Sequence, residues 1–383
     1  MTSTTRTRVL ALMEATSVTG PAKNLIGFCR WAHSAEGVTA GLQISIATFQ
    51  RRGNESQGFA DAARAAGIIT YIVSERGRFD RSIFSQMARI IEVAAPDLIQ
   101  THNTKSHFLL KRLRRSLLMP WIAFQHGYQD TDLKLRLYNQ VDRYTLRSAD
   151  RVISVCQAFS SRLTAFGVRP ERIRILHNSV GPADHVPPAE VAAFRRRFGI
   201  LADDVVILTI GRFSKEKGHA DLIEALHLLP ATSPRWKAIL VGDGPERANL
   251  ERLVARFNLS DRVLFAGMHR DVRPFYAMAD IFALASHSEG SSNVLLEAMA
   301  ARVPIVATSV GGTPEILADG DTALLSPGAD PQAFAQALQR LLGDQALQQR
   351  LAECASRDVQ IRFSPEQYRQ TLLGIYADVM AGK

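Results

Sequence analysis

Residues 288–300 read SEGSSNVLLEAMA, and this stretch decides the fold of the region around it. An apolar run at 281–283 precedes it, and a polar loop leads from that run into an apolar helix after Ser291 or Ser292. Serine is a preferred residue at the N-cap of a helix. A strand, a polar loop and an apolar helix in this order are typical of one β-α unit in a parallel sheet.

The same unit recurs along the whole chain. In the first half we predict strands at 8–13, 42–48, 68–73, 98–101, 121–124 and 152–155, with helices at 22–33, 79–93, 106–118 and 133–148. In the second half we predict strands at 205–210, 237–241, 263–265, 281–283, 305–307 and 322–325. They alternate with predicted helices at 219–229, 247–257, 294–300 and 331–341, and a last helix follows at 365–380. This pattern predicts an α/β protein with two Rossmann-like, doubly wound parallel-sheet domains that face each other across a cleft.

The boundary between the two domains is predicted near NSVGPADHVPP, residues 178–188. A chain of 383 residues suits two domains of similar size. Glycine and three prolines in this segment cannot sustain a helix, which indicates a linker. We therefore predict a first domain at 1–185 and a second at 186–364. A final helix is predicted within 365–383, and we expect it to pack back toward the first domain.

The positive charge of the chain lies entirely in its first half. Residues 1–190 hold 25 Lys and Arg against 15 Asp and Glu, whereas the remainder holds 21 against 22, which gives the net charge of +9. A basic surface attracts nucleic acid, anionic lipid or a phosphorylated substrate. The densest run, KRLRR at 111–115, fits either a basic amphipathic helix on an anionic membrane or a solvated helix face.

Composition excludes several other classes of protein. No apolar run approaches the ~18 residues that a membrane-spanning helix needs, and the N-terminus lacks the apolar stretch of a secretory signal. Cys29, Cys156 and Cys354 are widely spaced and form no CxxC pair. They are interpreted as reduced thiols of a cytoplasmic protein, with neither a disulfide framework nor a zinc site.

A candidate anion-binding loop, GRFSKEKG at 211–218, follows the predicted strand at 205–210. Gly211 allows a ligand to approach the backbone closely because it has no side chain. Arg212 and Lys217 flank the approach to the next helix, whose free N–H groups and dipole favour anions. A guanidinium and an ammonium together can neutralise a diphosphate. The Gly-Lys-Ser/Thr ending of a Walker A loop is missing, and a surface loop with ordinary charges is the alternative.

Two carboxylates lie eight positions apart in the stretch quoted first. Glu289 lies in the polar loop and Glu297 within the helix. So placed, they can accept hydrogen bonds from hydroxyl groups at the two ends of a sugar nucleotide. The alternative is that Glu289 interacts with the dipole of the first helical turn and Glu297 is a surface charge.

Four ordered segments of the second half resemble family 4 of the retaining glycosyltransferases with the GT-B fold. The segments are Gly211-Arg212 with Lys217-Gly218, VGDGPE at 241–246, the Glu289–Glu297 spacing, and VGGTPE at 310–315. The resemblance covers nearly all of 205–325. It implies metal-independent transfer, with no cofactor, of a sugar from a nucleotide-diphosphate sugar, in which the configuration of the anomeric carbon is retained.

The resemblance also implies roles for single residues of the second half. Arg212 and Lys217 bind the diphosphate, Glu289 binds hydroxyl groups of the donor sugar, and Glu297 binds those of the ribose. The other expected donor contacts are Gly211 in the diphosphate loop, the backbone N–H groups of Ser292, Asn293 and Val294 at the terminal phosphate, Met268 and His269 in FAGMH (265–269) at the base, and Gly311 and Gly312 in the loop that closes over the donor.

The first half resembles the family's acceptor domain more loosely. In VTGPAKN at 18–24, Gly20 occupies the expected glycine loop but Pro21 replaces the second glycine. Proline has no N–H to offer a ligand, and it suits the first turn of the following helix.

A histidine follows the predicted strand at 121–124. His126, in the sequence QHG, corresponds to the family's histidine in the cleft, and the resemblance implies that it donates to the donor sugar or stabilises charge at the reacting centre. A histidine with a purely structural role is the alternative. His102 and Lys105, within DLIQTHNTK at 97–105, are candidate acceptor contacts.

Asp130-Thr131-Asp132 has the DxD form that binds a divalent metal in the other large class of glycosyltransferases. Such acids also cap helices, and a helix is predicted from residue 133. Because the family resemblance implies phosphate neutralisation by Arg212, Lys217 and a helix N-terminus, we predict no metal site here.

Together these observations predict a retaining glycosyltransferase that moves a sugar from a UDP- or GDP-sugar to a glycan or lipid-linked acceptor. The basic first half predicts peripheral contact with anionic membrane, at the inner face of the cytoplasmic membrane, in cell-surface polysaccharide or lipopolysaccharide synthesis; nucleic acid is not expected as a partner. Two alternatives remain open at this point: a sugar-nucleotide epimerase of the same double-Rossmann plan, and a non-catalytic basic protein that binds membrane or nucleic acid.

Overall fold

The computed structural model describes residues 6–51, 53, 58–77, 80–114, 119–127 and 133–382. The chain forms two compact units, one made of Met1–Asn178 and Pro365–Lys383 and the other of Ser179–Ser364. No helix within the described ranges is both long and apolar enough to cross a membrane.

The first unit contains a seven-stranded parallel sheet. Its strands are β1 (Thr7–Leu12), β2 (Leu42–Arg51), β3 (Thr70–Glu75), β4 (Leu98–Thr101), β5 (Trp121–Gln125), β6 (Arg151–Ser154) and β7 (Ile173–Ile175). They are ordered β3-β2-β1-β4-β5-β6-β7, so the order reverses between β1 and β4. In doubly wound sheets, ligands bind beyond the carboxyl ends of the strands at such a reversal.

Helices cover both faces of this sheet because the strands are apolar on both sides, as parallel strands usually are. The helices of the unit are α1 (Gly20–Ala32), α2 (Ala35–Thr39), α3 (Gly58–Ala65), α4 (Ser82–Ala94), α5 (Thr104–Leu113), α6 (Leu133–Leu146) and α7 (Gln157–Ala165). The start of α5 is fixed by a capping box between Asn103 and Ser106. This places the loop after β4 at a defined position on the sheet edge.

A helix from the far end of the chain completes the first unit. The helix α16 (Pro365–Met380) contributes Leu372, Ile375, Tyr376 and Val379 to the same buried cluster as β1, α1 and β2. The Tyr376 hydroxyl donates a 2.6 Å hydrogen bond to Gln100 Oε1 on β4, so neither buried polar atom is left unpaired there.

The second unit is built on the same plan with six parallel strands. Its strands are β8 (Val205–Ile210), β9 (Trp236–Val241), β10 (Val263–Gly267), β11 (Ile281–Leu284), β12 (Ile305–Thr308) and β13 (Leu324–Ser326), in the order β10-β9-β8-β11-β12-β13. Its helices are α8 (Pro188–Arg197), α9 (His219–His227), α10 (Arg247–Arg256), α11 (Arg273–Met278), α12 (Asn293–Ala300), α13 (Thr313–Ile316), α14 (Pro331–Gly343) and α15 (Gln345–Arg362). Here the order reverses between β8 and β11.

Candidate active site

The loops that follow β8, β11 and β12 meet at the reversal point of the second sheet. The loop after β8 leads through a 3-10 turn (Lys215–Lys217) into α9. The loop after β11 leads into α12, and the loop after β12 leads into α13. Three strand ends and three helix starts therefore lie in one region, which is where a doubly wound sheet binds ligands.

A buried carboxylate lies at the centre of this region. Glu289 is only 5% exposed, and its Oε1 accepts hydrogen bonds from Lys217 Nζ at 2.8 Å and from Ser286 Oγ at 2.6 Å. A buried carboxylate is stable only when it is paired and hydrogen-bonded. Within the described part of the chain, Glu289 Oε2 has no hydrogen bond. The arrangement leaves one carboxylate oxygen for a hydroxyl group and holds the Lys217 ammonium beside it.

Close backbone contacts hold these loops together. Gly218 has φ +60° and Gly311 has φ +55°, conformations that other residues rarely adopt. A side chain on Gly218 would collide with the backbone carbonyl of Ala285, and one on Gly311 would collide with the carbonyl of Glu289. The Gly312 N–H donates to that same Glu289 carbonyl at 3.0 Å. The glycine loop after β12 therefore lies directly against the backbone of Glu289.

The helix α12 starts directly after the loop that carries Glu289. Ser292 is the N-cap residue but makes no side-chain capping bond, so the first N–H groups of the helix lack a capping acceptor. Asn293 Oδ1 is buried and has no hydrogen-bond partner among the described residues. Asn293 and Val294 are partly buried. The N–H groups of the first turn provide hydrogen-bond donors and a helix dipole suited to an anion, whereas Asn293 Oδ1 is a hydrogen-bond acceptor.

Glu297 lies one to two turns into α12. Its carboxylate accepts a 3.1 Å hydrogen bond from the hydroxyl of Tyr276 on α11, which also contacts the Val294 carbonyl at 3.2 Å. Burial, followed by the nearby Glu297 charge, raises the pKa of Tyr276 well above its usual value, so the hydroxyl remains a donor. Tyr276 thus fixes the orientation of Glu297.

The remaining residues predicted in the second half take different positions. Arg212 is exposed and forms no ion pair with another described residue. Gly211 is approached so closely by Gly242 that a side chain on Gly242 would collide with the Gly211 carbonyl. Met268 is 80% exposed, whereas His269 packs edge-on against Phe275, with ring centroids 4.7 Å apart.

A second histidine, His219, is the first residue of α9, directly after the loop that carries Lys217. It is 3% exposed, it packs edge-on against Phe213, and neither ring nitrogen has a hydrogen-bond partner in the described parts of the chain. Burial, followed by the charge of Lys217, lowers its pKa to about 4. His219 is therefore neutral at physiological pH and adds no charge to the loop.

His126 belongs to the first unit, directly after β5. Its Nε2 lies 3.4 Å from Nδ1 of His102, and the two rings are nearly parallel. Burial, followed by the charge of His107, lowers the pKa of His126 to about 4, and burial also holds the pKa of His102 far below its usual value. Both imidazoles are neutral, so in this contact one ring nitrogen donates its N–H and the other accepts it, in an order set by the tautomers. His126 Nδ1 is buried with no partner among the residues that the structure describes.

Buried polar contacts hold the segment that carries His126. Asp142 Oδ2 accepts from Gln125 Nε2 at 2.7 Å, and Asp142 Oδ1 pairs with His107 Nδ1 at 2.7 Å. Gln125 Oε1 in turn accepts from the Gly127 N–H at 2.6 Å. The backbone on both sides of His126 is therefore held by an interior network.

Gly20 belongs to the first unit. Gly20 and Pro21 form the first turn of α1, which confirms the helical position expected for this proline. Within the described ranges, no three His, Cys, Asp or Glu side chains are grouped closely enough to hold a metal ion. Asp130, Thr131 and Asp132 lie outside the described residues.

The structure thus brings Lys217, Glu289, Gly311 and Gly312 into direct contact and places Ser292, Asn293 and Glu297 on the adjoining helix. His126 and Gly20 belong to the other unit. Sequence reasoning missed Ser286, which bonds Glu289, and Tyr276, which bonds Glu297. Ser286 lies three residues before Glu289 in the polar loop, and this proximity is the one signal that the sequence offered for it.

Two doubly wound parallel-sheet units, with glycine-rich loops and paired charges at the reversal point of the second, define the GT-B class of glycosyltransferases. Glycosyl transferases group 1 matches residues 191–358, and Glycosyltransferase Family 4 matches residues 34–184. The chain belongs to the group 1, family 4 glycosyltransferases of the GT-B class.

Two relatives agree with this assignment, and a solved structure shares the fold. The chain is 33% identical, over 73% of its length and 79% of the relative, to the lipopolysaccharide core biosynthesis glycosyltransferase LpsE of Rhizobium meliloti. It is 28% identical, over 81% of its length and 82% of the relative, to the N-acetyl-alpha-D-glucosaminyl L-malate synthase of Bacillus anthracis. Anabaena HepE, solved in complex with UDP-glucose, shares the fold with a TM-score of 0.83 at 20% identity, over 97% of this chain and 99% of that one.

Proposed function

We propose that this glycosyltransferase uses a nucleotide-diphosphate sugar, a UDP- or GDP-sugar, and transfers the sugar with retention of configuration and without a metal ion. The observation that carries the proposal is the ion pair of Lys217 with the buried Glu289, in the loop that leads to the uncapped start of α12. A cation, free N–H groups and a carboxylate in one place match a diphosphate joined to a polyhydroxy ring.

The chemistry requires the leaving diphosphate to be stabilised. As the bond from the anomeric carbon to the phosphate oxygen breaks, negative charge develops on that phosphate. Lys217, Arg212 and the N–H groups of α12 neutralise it, and preorganised donors of this kind give the largest part of many enzymatic accelerations. The acceptor hydroxyl attacks on the face that the phosphate leaves, and its proton passes to a phosphate oxygen of the leaving group.

The two glutamates orient the donor at its ends. Glu289 Oε2 accepts a hydrogen bond from a hydroxyl of the donor sugar while Oε1 remains bonded to Lys217 and Ser286. Glu297, held by Tyr276, accepts from the ribose hydroxyls. His126, with a pKa of about 4, acts as a neutral N–H donor and not as a proton-transfer acid.

We further propose that the acceptor is a glycan or a lipid-linked glycan of cell-surface polysaccharide or lipopolysaccharide synthesis. The name of the Rhizobium relative supports this, and the UDP-glucose complex of HepE supports a uridine nucleotide. Peripheral contact of the basic first half with anionic membrane on the cytoplasmic side belongs to the same proposal.

The decisive experiment replaces Lys217 with Ala and measures both hydrolysis and transfer with UDP-glucose, UDP-GlcNAc and GDP-mannose. We expect turnover to fall by about a hundredfold or more, as when one preorganised donor to a developing anion is removed. Lys215→Ala, an exposed lysine of the same 3-10 turn, is the matched control and should keep full activity.

Loss of fold must be separated from loss of chemistry. Lys217→Ala leaves the buried Glu289 carboxylate without its cation, which is destabilising. The double variant Lys217→Ala with Glu289→Gln removes that charge and should restore thermal stability but not turnover. Unchanged turnover in folded Lys217→Ala would refute the assignment of Lys217 to the diphosphate. An equal loss of turnover in Lys215→Ala would refute it too.

A further inference from the structure

Two histidines of the first unit lie side by side at the carboxyl ends of neighbouring strands. His102 follows β4 and His126 follows β5, and these two strands pair in parallel. His102 Nδ1 lies 3.4 Å from His126 Nε2, although the two residues are 24 positions apart in sequence. The sheet therefore brings the two rings together.

The two rings meet edge to edge. Their planes differ by only 9°, and their centroids are 5.7 Å apart, much farther than the 3.4 Å between the two nitrogens. Nearly parallel rings with these two distances must lie almost in one plane, with the two nitrogens on the edges that face each other. This is the geometry of a hydrogen bond between imidazoles. Such bonds are often long in a free enzyme and shorten when the substrate binds.

The interior of the first unit holds both rings in this arrangement. His102 stacks on Phe124, with ring centroids 4.4 Å apart, and its backbone N–H donates to the Leu12 carbonyl at 3.1 Å. The buried hydrogen bonds of Gln125 fix the backbone on both sides of His126. The contact between the two rings is therefore part of a packed core.

Each of the two rings carries one proton. Burial is the main reason why the pKa of His126 falls to about 4 and that of His102 lies well below its usual value. A neutral imidazole has one N–H that donates and one bare nitrogen that accepts. If His102 Nδ1 donates to His126 Nε2, the proton of His126 lies on Nδ1. In the opposite order it lies on Nε2, and Nδ1 is an acceptor.

The exposure of the two residues favours the first order. The outer nitrogens of the pair, His102 Nε2 and His126 Nδ1, are buried without a hydrogen-bond partner in the ranges that the structure describes. One of them carries an N–H, and buried N–H groups without an acceptor are rare. His102 is only 5% exposed, whereas His126 is half-buried. Donation by His102 places the unpaired N–H on His126, the ring that reaches the surface.

We propose that His102 is a positioning residue, which donates from Nδ1 to His126 Nε2 and so keeps the proton of His126 on Nδ1. His126 then donates this N–H to a hydroxyl oxygen of the donor sugar. His102 offers almost no surface to a ligand, so it acts through His126. This inference rests on the proposed function, which makes His126 a neutral N–H donor, and it names the residue that fixes that role.

Nitrogen NMR of the whole protein with isotopically labelled histidine tests the tautomer directly, because protonated and bare ring nitrogens have well-separated resonances. The signals of His126 are those that disappear in His126→Asn. At neutral pH we expect its proton on Nδ1 in the wild type. In His102→Leu the proton should move at least in part to Nε2. In His102→Asn it should stay on Nδ1, since the amide of asparagine can donate from the position of His102 Nδ1.

Hydrolysis of UDP-glucose gives a second readout. A histidine in the wrong tautomer costs a serine protease about 10⁴-fold in kcat. We expect kcat of His102→Leu to fall at least about tenfold, with a smaller change in KM, because the lost donation acts on the reacting sugar. His102→Asn should recover most of this loss. Both substitutions remove the ring that stacks on Phe124, so they form a matched pair that differs chiefly in the N–H.

Three results would overturn the proposal. The first is a proton on Nε2 of His126 in the wild type, a measurement that does not depend on whether any variant folds. The second is the same tautomer of His126 in the wild type and in folded His102→Leu. The third is an equal loss of kcat in His102→Leu and His102→Asn, which would give His102 a merely structural role.

The NMR measurement needs no substrate, and this keeps the two proposals apart. If the proton lies on Nδ1 of His126 but the wild type neither binds UDP nor hydrolyses UDP- or GDP-sugars, the proposed function fails alone. If the wild type hydrolyses UDP-glucose and Lys217→Ala does not, while the proton of His126 lies on Nε2, the inference about His102 fails alone.

Discussion

Three histidines are kept neutral inside the protein: His102, His126 and His219. His102 and His219 are 5% and 3% exposed, and buried nitrogen atoms of all three rings lack partners among the described residues. A charged imidazole in such a place would lose its hydration, so burial lowers each pKa. For His126 and His219 the pKa falls to about 4. None of the three imidazoles therefore adds positive charge to its surroundings at physiological pH.

These histidines predict how stability depends on pH. In the unfolded chain they take up protons near pH 6.5, whereas in the folded protein burial holds the pKa of His102 far below that value and lowers the pKa of His126 and of His219 to about 4. The unfolded state thus binds more protons between pH 6.5 and 4, and stability must fall as the pH is lowered through that window. We expect a decrease of at most about 1.4 kcal/mol per pH unit for each histidine, measured by urea unfolding.

His219→Gln isolates one of these contributions. Carboxylates also titrate near the lower end of the window, but they are the same in the variant and the wild type. The difference between the two unfolding curves should shrink as the pH falls from 6.5 to 4. A constant difference across that range would show that His219 is not held neutral.

The local sequence pattern identified Lys217 and Glu289, the charged residues of the site, but it did not predict which side chains they contact. Lys217 and Glu289 were found because each lies in a short motif at a strand-to-helix junction. Their direct ion pair joins positions 72 apart in sequence, and no local pattern encodes that distance. Tyr276 was missed for the same reason, since it reaches Glu297 from a different helix, 21 positions earlier.

At the scale of elements, loop geometry determines where Glu289 sits. Gly311→Ala should displace the Glu289 backbone, because the added carbon collides with the Glu289 carbonyl. A positive φ costs an ordinary residue about 1–2 kcal/mol, and a displacement of ~1 Å at a reacting centre costs up to about a hundredfold in rate. We expect a loss of that order in hydrolysis of UDP-glucose.

Gly320 supplies the control for this prediction. It has φ +73°, similar to that of Gly311, but a side chain there would meet no atom within 4 Å. Gly320→Ala should lower the melting temperature by the cost of the positive φ only, which is less than in Gly311→Ala, and leave turnover intact. Equal turnover in the two variants would mean that the glycine loop does not position Glu289.

Apolar strands were predicted more closely than polar helices. The strand at 205–210 was predicted with its observed bounds, because a buried parallel strand is a continuous apolar run. The 18-residue helix α15 was missed, since QALQQRLAECASRDVQIR presents a polar surface with only scattered apolar positions. The predicted helix at 106–118 begins at Thr104 in the structure, where the Asn103 capping box starts it.

At the scale of the whole molecule, the first unit depends on α16. Deleting residues 365–383 removes Leu372, Ile375, Tyr376 and Val379 from its core. Burial of four such side chains contributes about 6–12 kcal/mol, comparable with the total stability of a domain. We expect the first unit to unfold, which hydrogen exchange of β1 and β4 peptides will detect, while peptides of β8 and β11 remain protected.

Tyr376→Phe tests how much of the effect of deleting α16 comes from its one hydrogen bond to Gln100 and how much from its apolar contacts. It keeps the ring in the core and leaves Gln100 Oε1 without its donor, at a cost of about 1–3 kcal/mol. The variant should stay folded at 25 °C. Protection of β1 and β4 in the deletion variant would contradict the dependence on α16.

The position of α16 also has a consequence for synthesis on the ribosome. The segment that closes the core of the first unit is translated only after all of the second unit. Domains usually fold in the order in which they emerge. Here the hydrophobic core of the first unit lacks the α16 side chains until translation of the chain is nearly complete. Chaperones that shield exposed apolar surface therefore have longest to act on the part of the polypeptide that was made first.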